Sequence, residues 1–510
     1  MSIAKCYSAH LVGLSAEIIA VEVDISNGLN ALAIVGLGDR AVTEAGDRVS
    51  AAIKNSGYVS PRQKNQKVIV SLAPADVRKE GPAFDLSIAL SYLLAAGDIE
   101  FDPEKILFLG ELSLEGRVRK VAGVLPILCQ APGRGFTRAF VPSENAEEAS
   151  LAGGITAYAV SSLCEAVSFL SGDKELKPVK SSDIFRRRDR GAPENLDMRS
   201  IRGNETAKRG LMIAAAGAHN VLLYGPPGTG KTMLARSFPS ILPPLSREEA
   251  IEVTGIHSAA RALAGALILD PPFRSPHHTA SYPAVVGGGS FPKPGEITLA
   301  HRGVLFLDEL PEFDRSVLEA LRQPLEERTI TISRARGSVA FPAQCILIAS
   351  MNPCPCGKPR DNGCTCSAKD LRSYRRRVSG PIMDRLDIWV NVNKVDYDKL
   401  AARTADAEPS TAIRAKVVAA RAIQEERFRR HGIDKRCNGE MDATDIERLV
   451  VMEEDVRRTM AEAAKKLSLS GRAFHHVIKV ARTIADLSDE EALKGPHILE
   501  ALQYRQKIAE

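Results

Sequence analysis

The sequence predicts an α/β fold divided into three blocks, and three observations predict it. Over residues 1–170 short apolar runs ("IIAVEVDI", "ALAIVGL", "KVIVSLA", "RAFVP") alternate with helical patterns such as "DLSIALSYLLAAG". That texture suits a small α/β domain. Over residues 198–395 strand-like runs recur around helices ("NVLLYG", "GVLFLDEL", "CILIASMN", "IWVNV"), the pattern of a parallel sheet with crossover helices. Residues 413–510 are almost all helix formers, as in "AIRAKVVAARAIQEERFRRHG", "DATDIERLVVMEEDVRRTMAEAAKKL" and "GRAFHHVIKVARTIADL", which predicts a helical bundle. Polar, aperiodic stretches at 171–197 and 396–412 read as linkers.

Composition bounds the function. A chain of 510 residues is long for a single core, and 44% hydrophobic with 26% charged residues is ordinary for a globular protein. The net charge of +5 means that any basic surface is local. The N-terminus lacks a leader pattern and no run of about 18 apolar residues occurs, so a cytoplasmic protein with no membrane partner is expected. Nine cysteines are too sparse for a disulfide scaffold.

The chemistry concentrates in the middle block. "GPPGTGKT" comprises Gly225, Pro226, Pro227, Gly228, Thr229, Gly230, Lys231 and Thr232, with Met233 directly behind, and it follows a strand and opens a helix. Glycines in such a loop let backbone N–H groups turn inward around phosphates, and the helix N-terminus adds partial positive charge. Lys231 is expected to reach the β- and γ-phosphates and Thr232 to ligate Mg²⁺. "GVLFLDEL" is a buried-strand run ending in Asp308 and Glu309. One carboxylate is needed to hold the metal and one to polarise the attacking water, which assigns Asp308 to Mg²⁺ and Glu309 to the water. A third strand ends in Asn352, placed to help orient that water. Together these describe an ATPase.

Five stretches carry a closer resemblance: "GPPGTGKTMLA", "FRSPHHTASYPAVVGGG", "PGEITLAHRGVLFLDELPEF", "SMNPCPCG" and "SGPIMDRLD". The chain resembles the magnesium-chelatase-like AAA+ ATPases, and within them the ComM/YifB family. The resemblance implies an AAA+ P-loop parallel-sheet core with a helical C-terminal lid. Arg385 in "GPIMDRLDIWV" sits where relatives place an arginine finger, which neutralises transition-state charge on a neighbouring subunit's ATP. Arg375, Arg376 and Arg377 compete for that role. Arg472 matches the sensor arginine that the lid turns toward the γ-phosphate. Residues 71–145 resemble the proteolytic domain of Lon, a ribosomal S5-like α/β fold. Ala83 stands where the serine nucleophile would be, and the neighbourhood of the lysine base is the apolar "VLPIL". The expected role of this block is structural or partner-binding, not proteolytic.

"CPCGKPRDNGCTCS" sets Cys354 and Cys356 against Cys364 and Cys366, four thiolates able to close a tetrahedron around a structural Zn²⁺. "RTITISRARGSVAFP" reads as a hairpin whose basic tip carries Arg334 and Arg336. In the chelatase-like clade such an insertion lines the central pore of a ring, where arginines would grip a phosphate backbone without reading sequence. The family reading is therefore an ATP-dependent homo-hexamer, driven by ATP and Mg²⁺, that migrates branched or single-stranded DNA during recombination of incoming DNA. A chelatase-type or chaperone-type protein remodeller is the alternative.

Overall fold

The computed structural model describes residues 2–36, 38–75, 79, 81–180, 197–263, 267–289, 292–334, 337–358, 363–395 and 407–505. Most of both expected linkers lies outside these residues.

The first block is built on a seven-stranded mixed sheet. Its strand order is Ala31–Val35, Gln66–Ala73, Ser15–Asn27, Ser2–Val12, Ile106–Phe108, Arg138–Pro142 and Thr156–Val160. Burial alternates along Gln66–Ala73, so Val68, Val70 and Leu72 face the core with Val21 and Val23 of the neighbouring strand. The apolar helix Asp85–Ala96 is buried against that face and ends at Gly97, whose φ of 73° provides a left-handed cap. Asp85 is fully enclosed. Arg48 meets it through two hydrogen bonds of 2.9 and 3.1 Å, and the Leu112 amide donates to it at 3.2 Å. In the segment read as Lon-like, this carboxylate is thus a structural tie. The Ala83 carbonyl beside it accepts from the Gly110 amide at 3.1 Å.

The second block holds a five-stranded parallel sheet in the order Phe273–Arg274, Val304–Leu307, Ile346–Met351, Val221–Tyr224, Ile388–Asn391. Val304–Leu307 and Ile346–Met351 are buried at every position, because helices cover both faces; this is why they read as continuous apolar runs. A hairpin, Thr329–Arg334 with Gly337–Pro342, leaves the sheet with Arg334 opposite Gly337. Arg336 and the side chain of Arg334 lie outside the described residues.

Helices Ser410–Arg430, Ala443–Leu449, Glu454–Lys466, Gly471–Leu487 and Gly495–Gln503 form the lid. The run "RLVVMEEDV" breaks between the second and third of these: Val450 is extended (φ −106°, ψ 94°), and Met452 bridges Leu493 in a parallel pair. Two adjacent β-branched residues favour that break. Val417, Val477, Ile484 and Ile498 of the lid share one core with Leu211 and Ala214 of the helix Glu205–Gly217. Among the described residues no helix is long and apolar enough to cross a membrane.

Polar contacts tie the blocks to one another, two buried ones among them. Between the first and second, Ser258 bonds Glu148, and the Gly123 amide donates to Ser258 Oγ at 2.9 Å. Between core and lid, Asp387 is buried against His476 of the lid helix, with His219 Nδ1 at 3.8 Å and the Asn220 amide donating at 2.9 Å. Burial alone would raise the Asp387 pKa; the two histidines outweigh it and hold it well below the ordinary 3.8. A carboxyl depressed on folding gives stability that is present above its unfolded pKa and lost as pH falls through its folded one. Asp387→Asn is therefore expected to cost about 3 kcal/mol at pH 7, with the gap from the unaltered chain narrowing as the pH drops below 3.8. Urea unfolding of both proteins across that range checks this; a gap that stays constant with pH would refute the linkage.

Candidate nucleotide site

The site grows from the C-terminal ends of three adjacent strands. After Val221–Tyr224 the chain turns through Gly225–Gly230 into the helix Lys231–Ser237. Gly228 and Gly230 have φ of 74° and 90°, a conformation that lets successive amides point into one hollow. Gly225 is required for another reason: a Cβ there would lie 2.1 Å from the Val392 carbonyl oxygen. Thr229 stiffens the loop by donating to the Pro226 carbonyl at 2.9 Å. Met233 is largely exposed on the first helical turn.

Lys231 is 8% exposed. Its ammonium donates to the carbonyls of Gly225 (2.7 Å) and Pro226 (2.8 Å) and to Asn352 Oδ1 (3.0 Å). Burial lowers its pKa, opposed by the charges of Asp308 and Glu309. A buried cation surrounded by neutral acceptors is poised for an anion, because a phosphate supplies the counter-charge that carbonyls lack.

The neighbouring strand delivers the carboxylates. Thr232 Oγ1 donates to Asp308 Oδ2 at 2.9 Å, and Ser350 on the next strand bonds Asp308 Oδ1. A hydroxyl and a carboxylate side by side are the hard oxygen donors that Mg²⁺ takes, so the residues present fit the ion. Glu309 follows in the left-handed region, φ 54°, an unfavourable place for a glutamate. Its amide is held there by Ser350 Oγ and Asp308 Oδ1, both at 3.1 Å. The turn swings the Glu309 side chain out into solvent, 3.8 Å from His278 Nδ1. His278 in turn packs on His277, ring centres 4.1 Å apart, and edge-on to Phe313. Sequence reasoning passed over Ser350 and His278. The first is inconspicuous in an apolar strand; the second lies in "FRSPHHTAS", a stretch already singled out.

This arrangement belongs to a known lineage. Family models match the chain almost end to end: "Subunit ChlI of Mg-chelatase" over residues 21–145, "Magnesium chelatase, subunit ChlI" over 197–400, and its C-terminal part over 407–505. Competence protein ComM of Haemophilus influenzae is 41% identical over 514 residues, spanning 100% of this chain and 98% of the relative. The chain belongs to the magnesium-chelatase-like AAA+ family of ComM and YifB. YifB of Salmonella typhimurium is 40% identical over 507 residues, 99% of this chain and 97% of that one. The DNA replication licensing factor Mcm6 of Drosophila melanogaster is similar over 37% of the chain at 26% identity. Family membership makes this an ATP-driven AAA+ protein and implies ATP and Mg²⁺.

Other AAA+ site residues are placed less simply. Arg377 pairs with Glu312 at 2.6 Å, and it shares a cleft with Arg376, His278 and Phe313. Arg385 precedes its strand, and its carbonyl accepts from Asn220 Nδ2 at 3.2 Å, where the phosphate-loop strand begins. The strands are parallel, so Arg385 lies at the opposite edge of the sheet from Lys231, about 13 Å of strand away. Arg472 does not turn toward its own phosphate loop. It is found with Arg385, both paired to Glu326.

The cysteine loop follows Asn352 directly. Cys354 Sγ lies 3.3 Å from Cys356 Sγ and 3.6 Å from Cys364 Sγ, with 3.7 Å between the latter two. All four sulfurs, Cys366 included, fall within 4.8 Å of one another. A tetrahedron of Zn–S bonds near 2.3 Å needs sulfurs about 3.8 Å apart, so the cluster fits zinc.

Proposed function

We propose that the chain is a ring-forming ATPase that moves branched or single-stranded DNA during recombination of incoming DNA. The observation that carries the ring is the placement of Arg385 and Arg472. Both sit at the sheet edge away from their own phosphate loop, which favours a second copy as the one whose nucleotide they serve. Lys231 then binds the β- and γ-phosphates, Thr232 and Asp308 hold Mg²⁺, and Glu309 orients the attacking water with help from Asn352. The bound metal neutralises charge on the phosphates.

DNA is favoured over a protein client by two things: the full-length likeness to a competence protein, and the hairpin formed by Thr329–Arg334 and Gly337–Pro342, in a segment whose sequence carries Arg334 and Arg336. Val339 of that hairpin lies so close to Gly13 that a Cβ there would stand 2.4 Å from it, so the first block braces the hairpin, a structural role that needs no protease chemistry. The chelatase names of the family models support the second reading, a protein remodeller.

The test is ATPase rate with and without forked or four-stranded DNA. Stimulation is expected that weakens steeply as salt rises, since phosphate contacts release counterions, and that is lost in Arg334→Ala/Arg336→Ala. Stimulation by a protein partner alone would move the chain to the remodeller reading.

A further inference from the structure

Arg385 and Arg472 come from different domains, one just past a short core helix and the other in the first turn of a lid helix. Yet both guanidinium groups close on the same atom, Glu326 Oε1. Arg385 Nη2 stands 2.5 Å from it, and Arg472 Nη2 is in direct contact. Two cations on one carboxylate leave a surplus positive charge. Arg385 is 7% exposed, and its Nε is buried without a hydrogen-bond partner. A cluster with excess charge and an unused buried donor is incomplete as an ion pair and suited to a more highly charged anion.

Glu326 is well placed to hold such a cluster temporarily. It lies near the end of the helix Arg322–Glu327, on the side of the sheet where the strands begin, and is itself close to half exposed. The hydrogen bond from Arg385, reinforced by Arg472 against partial burial, keeps its pKa below the ordinary glutamate value. It is therefore ionised at neutral pH. An exposed carboxylate contact is weak and yields to a phosphate.

We infer that Glu326 acts through Arg385 and Arg472 as a competing stand-in for the terminal phosphate of a neighbouring copy's ATP, occupying both guanidinium groups until that phosphate displaces it. This rests on the reading that the two arginines serve a neighbour's nucleotide. Transfer of the two arginines to phosphate costs the breaking of both their pairs with Glu326.

The experiment measures steady-state ATPase of the assembled full chain with five proteins: unaltered, Glu326→Gln, Glu326→Asp, Arg385→Ala and the Glu326→Gln/Arg385→Ala double variant. Glu326→Gln keeps the shape of the side chain and removes the competing charge. Its kcat is expected to rise about two- to fivefold, the scale of releasing weak, partly exposed ion pairs, with KM for ATP unchanged because the phosphate loop is untouched. Arg385→Ala should remove that gain. Glu326→Asp, which keeps the charge on a shorter stem, guards against a folding defect and should give a smaller rise. If Glu326→Gln and Glu326→Asp are no faster than the unaltered chain while Arg385→Ala is slow, the stand-in is wrong and the arginine reading survives. If Arg385→Ala turns over at the unaltered rate, the reading beneath the inference fails instead.

Discussion

Glu309→Gln is expected to bind ATP about as tightly as the unaltered chain and to hydrolyse it at least about 100-fold more slowly. The carboxylate projects clear of the phosphate loop, with His278 Nδ1 3.8 Å away. Asp308 is taken up by Thr232 and Ser350, whereas the Glu309 side chain projects from a left-handed turn held by two hydrogen bonds from its own amide to Asp308 Oδ1 and Ser350 Oγ. Replacing the carboxylate by an amide preserves the turn, since the Glu309 side chain takes no part in those bonds. What is lost is the ability to polarise water. Lys231→Ala should fail differently, because the ammonium is bonded to Gly225, Pro226 and Asn352 at once. Its removal strips the loop of its cation and strands buried carbonyls, so ATP affinity should fall about 100-fold. Equilibrium binding of a fluorescent ATP analogue, run beside single-turnover hydrolysis, separates the two. A Glu309→Gln chain that cleaves ATP at the unaltered rate would overturn the assignment of the water-activating base.

Much of this site was legible in the sequence because its chemistry falls at strand ends. An apolar run followed by "GPPGTGKT", another closed by Asp308 and Glu309, and a third closed by Asn352 place four functional groups together once the strands are parallel neighbours. The structure has that adjacency, with Val221–Tyr224 and Val304–Leu307 on either side of Ile346–Met351. Relations that cross the sheet were not legible. That Arg385 faces away from its own Lys231 follows from which end of a strand it occupies, and this requires the strand order and direction. Glu326 was hidden for a plainer reason: "LEERTI" offers two adjacent glutamates beside an arginine, and no spacing distinguishes the one that meets two cations. The break at Val450 was partly hidden: Val450 and Val451 favour it weakly amid helix formers, and the pairing of Met452 with Leu493 settles the chain there.

The purified chain is expected to carry about one zinc ion, and Cys364→Ser/Cys366→Ser to lose it together with at least about tenfold in ATP affinity, or 1.4 kcal/mol. The effect reaches the nucleotide through two short paths. Cys354 stands two residues after Asn352, whose side chain accepts from Lys231 at 3.0 Å. Gly357, with φ 72°, lies against the phosphate loop itself: a Cβ there would be 2.9 Å from the Pro227 ring. The cysteine loop is thus a brace across the back of the phosphate loop, and a metal holding four thiolates is what would fix so short and Gly/Pro-rich a segment. The Lys358 backbone amide draws Cys356 down to about 6, so a thiolate is at hand at neutral pH, whereas burial pushes Cys354 up to about 12, and that proton must leave when metal enters. Metal analysis with a thiol-sensitive dye, paired with ATP titration before and after the substitution, reads both effects. Metal-free protein that bound ATP with unaltered affinity would show the loop to be independent of the site, and the contact of Gly357 with Pro227 to be packing alone.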